Sequence, residues 1–300
     1  MIYLKLRGRI GNQLFMYAAA RSIQIKRNDE IVIEDAENIA PQYVNSLVEY
    51  PLLNVRYVHD YSEYRKFSML IIRTVMWFVN LIEKRMPYNK IWIFNKKVYP
   101  LLRGVGILHL QDGYVPLKPG NNKNIYLDGF FQSELFFEDN KEEIKNIFRL
   151  SKSDLEGYPS IEKIENRNTV CISIKVQHNV GNPMYDVCNM GYYEKAIKYI
   201  TEHVENPLFM ICSDNVQYVK DNLIDTDKYE CVEQAKDFPV HISLAAMARC
   251  KHFIIGNTSF GWWAQYLGDY SEKIVVAPSR WYGIDMPRDI YQDSWVQIEV

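Results

Sequence analysis

The chain has 300 residues, of which 48% are apolar and 24% charged, and a formal net charge of −2 at pH 7. This composition is typical of a globular protein, and the length predicts two domains or one large α/β unit. Because the net charge is close to zero, no overall field attracts a polyanion, and we expect no nucleic-acid partner.

The first half of the chain opens with a βαβ pattern. A strand is predicted over residues 2–6, a helix over about 12–26 and a second strand over 31–33 that ends in Glu34 and Asp35. The N-terminus lacks the long apolar stretch of a signal peptide, and five scattered cysteines without a CxxC pair favour a reducing cytoplasm. Residues 40–120 are less regular, and loops that contact an acceptor are expected there.

One apolar segment in this irregular region covers residues 67–82 and reads FSMLIIRTVMWFVNLI. A membrane-spanning helix needs about 20 apolar residues, and this segment is shorter and contains Arg73. Two interpretations stay open: a helix packed on its own domain, or a helix lying in the membrane interface with Met76 and Phe78 against lipid. The second would make the protein peripheral to the inner membrane face.

The second half alternates strands and helices. Strands are predicted over 170–176, within 206–215, and over 229–233, 252–257 and 273–278, with helices between them. Such alternation implies right-handed βαβ units and a parallel sheet. The predicted fold class is therefore α/β, with a boundary near residue 150 between domains over 1–150 and 151–300.

Polar residues follow the predicted strands in five places. Ligands of open α/β sheets bind outside the carboxyl ends of the strands, so we expect these residues to face one cleft between the two domains. The five places are Arg7–Gln13, Asp128–Gly129, Lys175–Asn179, Ser213–Asp214 and Asn257–Ser259.

The loop RGRIGNQLF resembles a phosphate-binding turn before a helix. Gly8 and Gly11 allow a tight turn, and the helix start offers free amides to an anion. A dinucleotide fingerprint would need a third glycine where Gln13 stands, so NAD binding is disfavoured even though Glu34 lies roughly where a ribose-binding acid would. Asn12 and Gln13 either point into the cleft or cap the helix.

A second helix start lies in the stretch GNTSFGWW. Thr258 and Ser259 either bind a phosphate there with the free amides or serve as a plain N-cap. The triplet Asp225-Thr226-Asp227 spells DxD, a pattern of metal sites in nucleotide-sugar enzymes, but it falls in a polar turn and is better explained as a solvated loop. The histidines show no paired spacing either, and we expect no metal.

Taken in order, these pieces resemble the bacterial α-1,2-fucosyltransferases of glycosyltransferase family 11. The family's GGLGNQLFQYA is matched by RGRIGNQLFMYA (7–18), its GYFQSEKYF by GFFQSELFF (129–137), and its CKHNIIANSSFSWWGAWL by CKHFIIGNTSFGWWAQYL (250–267). A family-like strand ending SDD is matched by LFMICSDN (208–215), and KIVVAPSRWYG (273–283) follows as expected. The resemblance covers nearly the whole chain.

The resemblance implies a GT-B architecture, with two Rossmann-like domains and the active site in a cleft between them. It also implies a metal-independent enzyme without a cofactor that transfers fucose from GDP-fucose, with inversion, to a galactose 2-hydroxyl of a surface glycan precursor. The partners would then be a nucleotide-sugar donor and a glycan acceptor.

One family motif is altered in this chain. The family pattern HIRRGDY, whose paired arginines grip the diphosphate, is represented by SIKVQHN (173–179). Lys175 takes the first arginine position, Val176 the second, and His178 the position of the aspartate. Because lysine is a point charge and not a planar fork, the donor could differ from GDP-fucose, or the chain could be a weak or inactive sugar-binding relative.

On this basis we assign candidate roles by residue. The catalytic candidates are Lys175 as the cation beside the leaving phosphate, His178 as a base for the acceptor hydroxyl, and Asn12 as a group that positions substrate. The substrate-binding candidates are Arg7, Gly11, Gln13, Asp128, Gln132, Asp214, Asn257, Thr258, Ser259 and Phe260.

Overall fold

The computed structural model describes residues 1–34, 46–58 and 67–300, and these residues divide into two compact units. Unit 1 contains residues 1–147 and 286–290, and unit 2 contains residues 148–285 and 291–300. The sequence placed a single boundary near 150; it gave no sign that five residues near the C-terminus belong with unit 1. Asp35, and the parts of the expected acceptor loops at 40–45 and 59–66, lie outside the described residues.

Unit 1 is built on a parallel sheet whose strands run in the order β3-β2-β1-β5-β4. Helix α1 is buried along most of its length, as expected for a helix that packs on the centre of a sheet. The strands are β1 (Ile2–Leu4), β2 (Ile31–Glu34), β3 (Val55–Val58), β4 (Ile107–Leu110) and β5 (Ile125–Gly129), and the helices are α1 (Ile10–Arg27), α2 (Phe67–Glu83), α3 (Tyr88–Gly104) and α4 (Lys141–Phe148).

Helix α2 is the apolar segment that the sequence left with two interpretations. One face of it packs in a core with β2, β3 and α3, through Ile72, Met76 and Val79. Met76 therefore lies in the interior of unit 1, and the expectation that it contacts lipid is wrong. None of the helices in the described part of the chain is long and apolar enough to cross a membrane.

Unit 2 is built on a second parallel sheet, in the order β11-β10-β9-β6-β7-β8. All six residues of β6 are buried, because helices cover both faces of a central parallel strand. The strands are β6 (Thr169–Ile174), β7 (Leu208–Ser213), β8 (Cys231–Glu233), β9 (His252–Ile255), β10 (Val275–Pro278) and β11 (Val296–Ile298), and the helices are α5 (Ile161–Asn166), α6 (Met190–His203), α7 (Val216–Asn222), α8 (Val240–Ala248) and α9 (Ser259–Leu267).

Side-chain caps mark the start of two helices of unit 2. Asn189 accepts from the amide of Tyr192 at the start of α6 (3.1 Å), and Asn215 accepts from the amide of Tyr218 at the start of α7 (3.1 Å). These caps satisfy amides that a helix start leaves free. The cap of α7 starts that helix shortly after β7, beside Ser213 and Asp214, which are candidate site residues of unit 2.

Candidate active site

The strand order of unit 2 defines where a ligand can bind. Counted along the chain from β6, the order is 3-2-1-4-5-6, with the connections running outward in opposite directions from β6 and β9. This is the order of a dinucleotide-binding sheet, and ligands occupy the crevice at the point of reversal. The loops after β6 and β9 meet there, since Nδ2 of Asn179 donates to Oδ1 of Asn257 (3.4 Å).

Lys175 and Asp214 form an ion pair at this point. Nζ of Lys175 lies 3.0 Å from Oδ2 of Asp214, and Oδ1 of the same carboxylate accepts from the amides of Val176 (2.8 Å) and Gln177 (3.3 Å). Asp214 was expected to contact the nucleotide; the structure places it as the group that holds the loop after β6. The side chain of Lys175 is 26% exposed, so its ammonium group remains available to an anion.

The neighbours of Lys175 divide between the core and the solvent. Val176, at the position of the second family arginine, is 8% exposed and packs in the core of unit 2. His178 is exposed and adopts φ 68°, in the left-handed region that His tolerates better than most residues. No hydrogen bond links the His178 ring to another residue in the described ranges, so a substrate could approach it.

The start of helix α9 is brought against the end of β6. Oγ1 of Thr258 accepts from the amide of Gly261 (2.9 Å), which confirms the N-cap and satisfies one of the free amides. Gly261 is required here, because a Cβ at this position would lie 2.6 Å from Oγ of Ser173 in β6. Ser259 and Phe260 are partly exposed in the first turn of the helix, where backbone amides and the dipole favour a phosphate.

Asn257 has a different role from the one expected. Its Nδ2 donates to the carbonyls of Tyr185 and Trp281, both at 3.0 Å, so both amide protons are used within the protein. Its Oδ1 accepts from Asn179. Asn257 therefore holds three loops together and is not free to donate to a substrate.

Arg280 is a residue of this region that the sequence interpretation missed. It lies two residues after the end of β10 and precedes Trp281, whose carbonyl is bonded to Asn257. Its side chain is exposed and forms no hydrogen bond or ion pair with the residues that the structure describes. The signal was present in the stretch KIVVAPSRWYG, because an arginine shortly after a parallel strand lies towards the ligand-binding edge.

Unit 1 carries its own group of candidate residues, after β1 and β5. Arg7 forms an ion pair with Asp128 and a 3.5 Å hydrogen bond from Nη1 to Oε1 of Gln111. The side chain of Asp128 is only 1% exposed. Asp128 was expected to contact substrate; the structure places its carboxylate in the interior, paired with Arg7.

The polar residues of the GNQ motif also have protein partners. Gln13 is buried; its Nε2 donates to the carbonyl of Gly8 (3.0 Å) and its Oε1 accepts from the amide of Ser46 (2.8 Å), so it joins two loops instead of binding substrate. Oδ1 of Asn12 accepts from Nε2 of Gln132 (2.8 Å), which brings the first two family motifs together. Neither residue caps α1, whose N-cap is Arg9.

Two glycines shape this loop, and one of them was a substrate-binding candidate. Gly11 is buried in the first turn of α1, where its only possible contact with a ligand would be through the backbone. Gly8 adopts φ 68°, and a Cβ there would lie 2.4 Å from Nδ2 of Asn12. The loop therefore needs glycine at position 8.

A buried polar network lies behind Arg7 and Asp128. Nδ1 of His109 lies 2.9 Å from the carbonyl of Asp128, and Nε2 lies 2.7 Å from Oε1 of Glu83, which also accepts from Asn95 (2.6 Å). Both ring nitrogens of His109 therefore lie within hydrogen-bonding distance of an oxygen atom. Burial raises the pKa of Glu83, but the hydrogen bonds from His109 and Asn95 and the nearby positive charges outweigh it and lower the pKa.

This network could not be predicted from the sequence, since its members come from α2, α3 and β4 and form no local motif.

Three further features lie apart from the candidate site. A cavity of about 280 Å³ in unit 2 is lined by residues that include Cys250, just before β9, and Leu267, at the end of α9. It therefore lies at the edge of the sheet opposite the ligand-binding edge.

The other two features concern metals and thiols. Asp225 of the DxD triplet pairs with Lys228 at 2.9 Å in an exposed turn, which confirms the solvated loop. No cluster of three or more His, Cys, Asp or Glu that could hold a metal occurs among the described residues. Cys171 and Cys212 are buried as free thiols, as expected for small apolar side chains.

The two parallel sheets, each with its helices, define a protein of the two-unit α/β class. The model of glycosyl transferase family 11 matches residues 1–299, and the chain belongs to that family. It is therefore a glycosyltransferase by family, as the motifs predicted.

Two curated relatives match over their whole length. The O-antigen biosynthesis glycosyltransferase WbnK of Escherichia coli is 26% identical over 315 residues, covering 99% of this chain and 100% of the relative. An α-1,2-colitosyltransferase of Escherichia coli is 24% identical over 310 residues, covering 100% and 99%.

Among solved structures, the α-1,6-fucosyltransferase NodZ soaked with GDP-fucose is similar with a TM-score of 0.55 and 13% identity, covering 89% of this chain and 91% of that one. Another solved structure that is similar to this chain is that of fucosyltransferase NodZ from Bradyrhizobium. At this identity the likeness concerns the fold alone, and the predicted GT-B class, with two Rossmann-like units, is confirmed.

Proposed function

We propose that the protein transfers fucose from GDP-fucose, with inversion, to the 2-hydroxyl of a galactoside in a surface glycan precursor. The observation that carries this proposal is the carboxyl edge of the sheet of unit 2, where Lys175 follows β6 and the start of α9 follows β9, the two strands at the switch point. The O-antigen role of WbnK and the α-1,2 linkage made by the colitosyltransferase support the acceptor class and the linkage.

The chemistry follows from these groups. The acceptor oxygen attacks the anomeric carbon, the bond from that carbon to the β-phosphate oxygen breaks, and its electron pair leaves with GDP. Lys175 and the amides that start α9 stabilise the developing negative charge without reorganisation. The hydroxyl proton passes to the imidazole of His178. Asn12, held by Gln132, positions substrate in unit 1, and no metal or cofactor is needed in this scheme.

Binding and turnover test the donor separately from the chemistry. Isothermal titration should give binding of GDP and GDP-fucose but not of UDP-sugars, and GDP release should occur with a panel of β-galactosides. Tight binding of UDP without a response to GDP would remove the fucosyl proposal.

Lys175→Ala tests the chemistry. It should lower kcat about 10²–10³-fold, because one charge-assisted contact to the leaving group is lost. The loop should keep its shape, since Asp214 retains its bonds to the amides of Val176 and Gln177. The control is Lys198→Ala, which removes a lysine that is 77% exposed on α6 and should leave kcat unchanged.

Two other functions have a specific observation in their favour. The colitosyltransferase relative favours a different sugar on the donor; this would appear as GDP binding without turnover of GDP-fucose, and as turnover of another GDP-sugar. The burial of Val176, together with the pairing of Lys175 to Asp214, favours a non-catalytic sugar-binding relative. That case predicts binding of a donor or a galactoside with no turnover of any donor in the panel.

A further inference from the structure

Helix α2 has two apolar faces on opposite sides. The face formed by Ile72, Met76 and Val79 is buried in unit 1. The opposite face carries large apolar side chains that are exposed: Leu70 (63%), Ile71 (41%), Trp77 (59%), Phe78 (55%) and Ile82 (46%). Leu70 and Trp77 are seven residues apart, as are Ile71 and Phe78, and Ile82 lies four residues after Phe78. Because seven residues make about two turns of a helix, these side chains form a stripe along its solvent-exposed side.

A stripe of this kind is unusual for a surface. Single exposed apolar residues are common, but five large ones on the exposed side of one helix indicate a surface that binds something. Trp77 and Phe78 also contact each other edge to face, with ring centroids 4.8 Å apart. Aromatic rings of this type favour the boundary between lipid and water, and tryptophan does so most.

The charges around the stripe indicate what it binds. Residues 67–82 contain no acidic residue, and the only acid of α2, Glu83, faces the interior and is bonded to His109. Basic side chains border the stripe instead: Arg73 within it, and Lys84, Arg85 and Lys90 after it, all exposed. A second copy of the chain would bring these like charges together, whereas anionic headgroups would complement them.

We propose that this stripe, residues 70–82 of α2 with the basic residues that follow it, docks on a bilayer surface that carries anionic lipid. The helix lies in the plane of the interface, since it is too short and too charged to span, with Trp77 and Phe78 inserted at the level of the headgroups. Lys84 and Lys90 contact the headgroups. The proposal concerns unit 1 alone and does not depend on which sugar the enzyme transfers.

Vesicle sedimentation tests this docking surface. The full-length protein should sediment with vesicles of phosphatidylcholine and phosphatidylglycerol at low salt, and less with phosphatidylcholine alone. The variant Trp77→Glu/Phe78→Glu should lose at least about tenfold in affinity, because it places charge in the inserted row. Its thermal unfolding should match that of the wild type, since both side chains are exposed.

The matched control adds the same two charges elsewhere. Leu52→Glu/Val240→Glu alters two other exposed apolar residues, at 61% and 44% exposure, and should bind vesicles like the wild type. The variant Lys84→Gln/Lys90→Gln should lose about fivefold per lysine on anionic vesicles only.

Equal binding of the wild type and Trp77→Glu/Phe78→Glu would overturn the proposal, and so would failure of the wild type to bind anionic vesicles. Light scattering gives a further way to refute it. A wild-type dimer that becomes monomeric in Trp77→Glu/Phe78→Glu would assign the stripe to an interface between copies.

Discussion

Position 176 decides how this chain can compensate for the family's second arginine. Val176 belongs to the same buried apolar cluster of unit 2 as Ile174 and Val216, so a guanidinium at this position would start from a buried site. Another cation after a strand of the same sheet is Arg280, which is exposed two residues beyond β10. The chain therefore carries these two cations after different strands and not in one motif.

Placing the family's second arginine at position 176 should accordingly destabilise the fold. Val176→Arg would bury an unpaired charge, so we expect a loss of several kcal/mol in the free energy of unfolding and no gain in kcat. Urea unfolding and GDP-release assays measure the two effects. Gln177→Arg, at the exposed neighbour, is the control and should unfold like the wild type. A stable Val176→Arg variant with raised kcat would show that the side chain can turn to the site.

His178 can be tested without confusing catalysis with folding. Its φ of 68° favours glycine, so His178→Gly should raise the free energy of unfolding by up to about 1 kcal/mol, while His178→Ala should not. If the imidazole is the base, both variants should lose about 10²–10⁴ in kcat. Two variants with full kcat would assign the base elsewhere, whatever their stability.

The residue roles that the sequence failed to predict have a common physical cause. Asn257 and Asp128 lie at strand ends and Gln13 in the first turn of α1, but their partners lie far away along the chain: Tyr185 is 72 residues from Asn257, and Ser46 is 33 from Gln13. A motif identifies a polar side chain at the ligand edge. It does not show whether the hydrogen-bonding capacity of that side chain is already used within the protein.

At the scale of elements, the close approach of α9 to β6 builds the phosphate end of the candidate site. Gly261→Ala would place a methyl group 2.6 Å from Oγ of Ser173, so one element must shift. We expect a loss of about 1–3 kcal/mol in the free energy of unfolding, together with a raised Kd for GDP measured by calorimetry.

Gly104→Ala is the matched control for this change, because a Cβ there meets no atom within 4 Å at the end of α3. It should be neutral or slightly stabilising. An unchanged Kd for GDP in a destabilised Gly261→Ala variant would show that the start of α9 does not bind the donor.

The free energy of unfolding of unit 1 should depend on pH through Glu83, which joins α2 to the sheet by its hydrogen bond with His109. Its pKa is lowered from 4.5 in the folded state, despite burial, by its hydrogen-bonding partners. A carboxylate with a lowered pKa stabilises the fold above its unfolded pKa, and this stabilisation is lost as the pH falls below about 4.5. Glu83→Gln, which keeps an acceptor for His109 and Asn95, should therefore flatten the acid side of the stability curve.

Urea unfolding at several values between about pH 7 and pH 3 measures this dependence. Glu202→Gln, which changes an acid on α6 with 56% exposure, serves as the comparison and should follow the wild type. Parallel curves for the wild type and Glu83→Gln over the whole range would contradict the assignment.

The elements themselves were largely predictable. The predicted helix over 12–26 is observed as Ile10–Arg27, and the predicted strand over 170–176 as Thr169–Ile174, because buried runs and periodic helix faces are local signals. The two faces of α2 were not separable from the sequence, since both are apolar. Which one is buried depends on Val32, Val58 and Leu102, which come from three other elements.

At the scale of the whole molecule, the chain passes from unit 2 back to unit 1 before it ends. Residues 286–290 belong to unit 1, whereas β11 (296–298) completes the sheet of unit 2. The amide of Tyr114 donates to Oδ2 of Asp289 at 3.0 Å, and Met286 and Ile290 are buried. The short return segment is therefore part of the core of unit 1, although it lies about 140 residues beyond the rest of that unit.

This arrangement predicts that a change near the C-terminus destabilises the N-terminal unit. Ile290→Ala should cost about 2–5 kcal/mol in the free energy of unfolding of unit 1, through the cavity left by a buried side chain. Hydrogen exchange followed by mass spectrometry can locate the effect: amides of β4 and β5 should lose protection, while those of β6 and β7 keep theirs. Ile284→Ala, at a side chain that is 37% exposed, should change neither group. Equal loss of protection in both sheets would mean that the two units unfold together, and that residues 286–290 stabilise the whole chain and not unit 1 alone.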